Sequence, residues 1–123
     1  MQVEKAQLPY DYQAFWDRLS DADKQLNIGG VQVKLEEIAC GLDACEKVIK
    51  TMRLLSGDLC IQFIEERTRK TPDIVPETLN RLDVVIANTA EELTQLRKLF
   101  KHYHRLLVVL RAKETVDRIN RGN

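Results

Sequence analysis

Apolar residues recur at three- and four-residue steps along most of the chain, the period of a helix. Val31, Leu35, Ile38, Leu42, Cys45, Ile49 and Met52 are spaced 4, 3, 4, 3, 4, 3, an unbroken heptad seam. Leu79, Leu82, Ile86, Thr89, Leu93, Leu96, Phe100, Tyr103, Leu107 and Leu110 carry the same alternation over a longer stretch. A shorter series, Tyr12, Phe15, Trp16, Leu19, Ala22 and Leu26, precedes them, and Leu59, Cys60, Phe63 and Ile64 form another. The pattern predicts helices over about 11–26, 31–56, 58–70 and 76–120, with a loop at 71–75.

Polar and special residues punctuate these stripes. Asp11 is placed to cap the first helix, and Asn27-Ile28-Gly29-Gly30 reads as its end. Ser56-Gly57-Asp58 reads as a kink or short break. Pro72 and Pro76 cannot both sit inside one regular helix, and Pro76 suits a first turn. Gly41 lies mid-helix, where it costs about 1 kcal/mol relative to Ala; a closely approaching neighbour helix would explain it. Thr89-Ala-Glu-Glu92 matches a capping box. The heptad phase nevertheless runs through Thr89, so one helix is expected from Pro76 to Asn120, roughly 65 Å long. Beyond Leu110 the apolar stripe moves to Val109, Ala112, Val116 and Ile119, so the last turns should pack differently.

These elements imply an all-α fold. The expected form is an elongated antiparallel helical bundle or helical hairpin, with coiled-coil-like heptad seams and a shorter N-terminal helix. Residues 1–123 read as a single domain. Helices of such unequal length cannot cover every stripe. Leu96, Phe100, Tyr103, Leu107 and Leu110 are therefore the candidate interface, toward a protein partner or a second copy, in a homodimer or hetero-oligomer.

Composition narrows the class. The chain has 123 residues, 44% apolar and 31% charged, with 5 glycines and 3 prolines, which excludes collagen-like and low-complexity chains. The longest apolar run, Leu106–Leu110, is far short of the ~20 residues of a membrane span. With no secretory leader visible, the expected location is the cytoplasm. Cys40, Cys45 and Cys60 then read as small buried or half-buried residues in a reducing compartment.

The zero net charge hides a gradient. Residues 1–66 hold 7 basic and 12 acidic side chains, net −5, and residues 67–96 hold 4 and 5, net −1. Residues 97–123 hold 8 and 2, net +6. Arg97, Lys101, His104, Arg111 and Arg118 share one face of the last helix, widened by Lys98, Arg105 and Lys113. An acidic protein surface, from this chain or a partner, is the favoured counterpart. Nucleic acid is disfavoured because the aromatics lie on the apolar seam and the pI is near 6.7.

Catalytic chemistry finds no foothold in the sequence. His102 and His104 lie about 200° apart around a helix and cannot share a metal, so both read as part of a solvated basic flank. There is no phosphate loop and no nucleophile elbow. The chain reads as a non-enzymatic protein-interaction module without metal or cofactor: an adaptor, assembly subunit or small chaperone-like partner. A nucleic-acid-associated subunit using the basic end is the alternative.

Overall fold

The computed structural model describes residues 5–66 and 74–122. Their regular structure is entirely helical: α1 (Tyr10–Asp17), α2 (Asp21–Lys24), α3 (Ile28–Glu66) and α4 (Ile74–Arg121). The all-α fold and the two long helices match the sequence pattern. Several boundaries do not.

The first helix is two. α1 follows Pro9, so Asp11 falls within its first turn rather than at its cap. The chain leaves the helix at Arg18, and the Ser20 hydroxyl accepts a hydrogen bond from the Asp23 N–H to start α2. That cap supplies an orphan donor with a partner, which an uninterrupted helix would not need. Asn27 likewise begins a helix instead of ending one. Its side-chain oxygen accepts from the Gly30 N–H at 2.7 Å, so Gly29 and Gly30 form the first turn of α3.

No break occurs at Ser56-Gly57-Asp58, since α3 runs on to Glu66. α4 begins at Ile74, which shortens the expected loop, and Pro76 stays in the first turn where its missing N–H costs nothing. The expected helical residues 67–70 and loop residues 71–73 lie outside the described residues. α4 is continuous past Thr89, whose hydroxyl donates to the Val85 carbonyl at 2.7 Å rather than capping a new helix.

The chain divides into two compact units, one joining residues up to Ile38 with those from Leu99 onward, the other spanning Ala39–Lys98. The first unit is a small helical bundle. Leu19, Val31, Leu106 and Leu107 form its buried cluster. Phe15 and Trp16 of α1, Leu26, Ile28 and Leu35, and Tyr103 and Leu110 of α4 pack around it. Leu106, Val31 and Val109 are fully buried, and each such side chain contributes about 1.5–3 kcal/mol. Beyond Leu110, α4 meets the N-terminal segment through Asn120, while Ile119 of the shifted stripe stays exposed. The Ala6 N–H donates to Asn120 Oδ1 at 2.9 Å, and Asn120 Nδ2 donates back to the Ala6 carbonyl at 3.1 Å.

The second unit is an antiparallel helix pair. Cys45, Ile49 and Leu93 form its buried cluster, with Leu42, Ile86, Ala90 and Leu96 around them. Gly41 supplies the close approach that its position implied. A methyl there would sit 3.2 Å from Leu96 Cδ1, whereas one at Gly57 would meet nothing within 4 Å.

The two glycines therefore respond differently to the same change. Gly57→Ala should raise stability by about 0.5–1 kcal/mol through helix propensity alone. Gly41→Ala should gain clearly less, because Leu96 must shift. Urea unfolding of both variants measures the difference, and an equal gain would remove the packing role of Gly41.

Candidate functional site

The described residues offer two places where polar chemistry gathers. One lies in the first unit, where α2 meets α4. Asp23, held on α2 by the Ser20 cap, points at α4. His102 Nε2 lies 3.0 Å from Asp23 Oδ2, and the Tyr103 hydroxyl donates to Asp23 Oδ1 at 3.1 Å. An ionised carboxylate only accepts, so it is the His102 Nε2 that carries the proton in this contact. Asp23 is 15% exposed and His102 36%. Burial, then the bond to Asp23 and its charge, push the Tyr103 hydroxyl above its usual range. Both donors face one carboxylate, so the cluster joins α2 to α4.

Aromatic rings receive the cations of this unit. Lys113 Nζ sits 3.5 Å from the centre of the Trp16 ring, Arg105 lies 4.9 Å over Phe15, and Lys34 lies 5.2 Å from Tyr103. Phe15 also packs against the His102 ring at 5.5 Å. His102 is thus a half-buried structural side chain, not part of a solvated flank. His104 remains exposed and stacks on Phe100 at 6.3 Å.

The second place is a groove in the second unit, of about 680 Å³. Ile49 of α3 and Ala90 and Leu93 of α4 form its floor. Lys50 and Arg53 stand along the α3 side, with Leu54 at the edge, and Arg97 stands on the α4 side. Arg97 reaches Glu46 at 3.7 Å, and both side chains are 59% exposed. Lys50 and Arg53 have no ion-pair partner among the described residues.

The sequence-predicted sites separate on this framework. Arg97, Lys98, Lys101, His104, Arg105, Arg111 and Arg118 are all exposed. Arg105 is committed to Phe15 and Arg97 to Glu46. Of the interface candidates, Leu107 is buried and Tyr103 and Leu110 pack around it, all within the chain's own first unit. Leu96 packs into the second-unit cluster against Gly41. Phe100 alone joins neither cluster. In the first unit the reason is the extra cover of Phe15, Trp16 and Leu19, which makes core of a stripe expected to face a partner; Leu96 is covered by α3.

Cysteine placement is also corrected. Cys45 is buried as expected, but Cys40 and Cys60 are exposed. Burial, then the Glu92 carboxylate, raise the Cys45 thiol pKa and keep it protonated. Among the described residues, no three of His, Cys, Asp and Glu gather as a metal-binding group. No helix there is long and apolar enough to cross a membrane.

Comparison with protein-family models, curated proteins and solved structures finds no match to this chain.

Tyr103→Phe removes one bond to a half-buried carboxylate and should cost about 0.5–1.5 kcal/mol at neutral pH. Because the folded state holds the Tyr103 pKa above its usual value, this stabilisation is complete below about pH 10 and is lost as pH rises through the folded value. Urea unfolding from pH 7 to pH 11 should show a constant gap between the two proteins that closes only in the alkaline range.

Proposed function

We propose that the chain is a non-enzymatic protein–protein interaction module, an adaptor, assembly subunit or small chaperone-like partner that works through helix–helix contacts. The observation that carries this reading is the bareness of the second unit. Two helices paired along one seam cover only the seam. Among the described residues of that unit, Leu54 is 63% exposed, Val84 58% and Ile61 56%, with Val48, Leu55 and Val85 also open. Scattered single apolar residues need no explanation, but several open around one helix pair support cover by a further helix. The first unit supports the same logic, because there the chain supplies the covering helices itself.

The reading does not assign the partner to one side of the pair. Counting about 100° per residue, Val48 and Leu55 lie round α3 in one sense from buried Cys45, and Lys50 and Arg53 in the other. Val85 of α4 falls on the side of Val48 and Leu55. Cross-linking of the full chain in extract of its native cell tests the reading. A discrete adduct is expected that disappears with Leu54→Asp or Leu55→Asp while circular dichroism is unchanged. A chain that stays alone, or an adduct indifferent to both substitutions, counts against it.

The alternative, a nucleic-acid-associated subunit, draws on the exposure of Lys101, His104, Arg111 and Arg118 along α4 of the first unit. Phosphate contacts are strongest at low salt. Binding to a generic oligonucleotide at about 50 mM salt, weakening steeply by about 200 mM, is what that reading requires. No binding at the lower salt removes it.

A further inference from the structure

We infer that the groove between α3 and α4 in the second unit receives an acidic, amphipathic helix from a partner protein. The inference rests on the protein-interaction reading and names its side and chemistry.

Three features of the groove select this occupant. Its floor, Ile49, Ala90 and Leu93, is aliphatic and continuous with the buried cluster of Cys45, Ile49 and Leu93. A side chain seated there extends an existing core. Its walls are helices, whose backbone N–H and C=O groups are paired internally, so no edge exists for an added strand. Side-chain ridges on helices instead accept the ridges of another helix. The groove spans Glu46 to Leu54 on α3, roughly 12 Å of axis, enough for about two turns of an incoming helix.

Charge then selects the sign. Lys50 and Arg53 line one wall without ion-pair partners among the described residues, and Arg97 lines the other. Glu46 is the one carboxylate on the lining, and Arg97 already holds it. An incoming helix with carboxylates flanking an apolar stripe would meet Lys50 and Arg53 on the α3 wall, and the lining as a whole carries three cations against one carboxylate; a basic helix would meet like charge. Among the described residues its lining has no aromatic ring on which a base could stack, which separates it from a single-strand nucleic-acid channel. The first unit shows the same kind of cover within the chain: the α1–α2 segment lays Phe15, Trp16 and Leu19 on the core and presents the Asp23 carboxylate to His102 and Tyr103 of α4.

A display library of about 16-residue helical peptides, randomised on one face and selected against the full chain, tests this directly. The expected survivors carry apolar residues at i, i+3, i+4 and i+7 flanked by Asp or Glu. Their affinity should fall at least tenfold in the Lys50→Glu, Arg53→Glu double variant and with rising salt. Both positions are exposed, so the variant should keep its helix content, and circular dichroism confirms that it has. Survivors that are neutral or basic, or displaced by a single-stranded oligonucleotide, overturn the inference. Acidic survivors that ignore the double variant but are lost with Leu55→Asp place the partner on the other side of the pair. That outcome overturns the groove and leaves the interaction reading standing. A selection that yields no binder removes both.

Discussion

The packing of α3 against α4 is the contact on which the remaining structure depends. An isolated helix is marginal in water, and most helical stability comes from burying an apolar face. Val31 and Leu35 with Leu106 and Leu107 in one unit, and Cys45 and Ile49 with Leu93 in the other, provide that burial. Once the seams are closed, the flanking positions are determined. In the first unit they meet Phe15, Trp16 and Leu19 and become core. In the second they stay open, and Leu54 and Val84 face outward. The difference between a finished bundle and an exposed pair is thus two short helices.

Those short helices are too small to hold themselves. α1 has eight residues and α2 four, well below the length at which helices persist alone. Their attachment uses rings and one carboxylate. Lys113 on Trp16 and Arg105 on Phe15 bring α4 cations against neutral faces. A cation over a ring keeps more of its hydration than one in a buried ion pair, so the contact is favourable without a large desolvation cost. Asp23 adds the polar contact, with His102 and Tyr103 both directed at it. The acidic first half and basic end of the chain do meet, but largely through aromatic side chains instead of through a ladder of salt bridges.

The seams were legible because a heptad repeat is a signal in sequence order. Cys45, Ile49 and Leu93 all stand on the seam where the spacing placed them. Other features depended on information that spacing does not carry. Asn27 with Gly29 and Gly30 suits either end of a helix, and the direction was decided by which backbone N–H its side chain met. Ser56-Gly57-Asp58 weakens a helix by an amount that seam packing readily exceeds, so α3 passes through it. Asp23 and His102 are 79 residues apart, and no local pattern marks such a pair. The groove was hidden for the same reason: Lys50, Arg53 and Arg97 come together only when the helices are laid antiparallel. Leu107 and Tyr103, expected to face a partner, were absorbed by cover from α1 that a stripe on α4 cannot reveal.

The reciprocal bond between Ala6 and Asn120 has a kinetic meaning. It joins residues 114 apart in sequence, while the helices themselves are built from contacts four residues apart. Local contacts close fast and distant ones wait for the entropy of a long loop to be overcome. The carboxamide of Asn120 can recognise the Ala6 peptide only after the first-unit helices have brought α4 to it. Sequence separation thus places this pair late in assembly as an expectation, with the Ala6 amide proton exchanging ahead of those of the packed core.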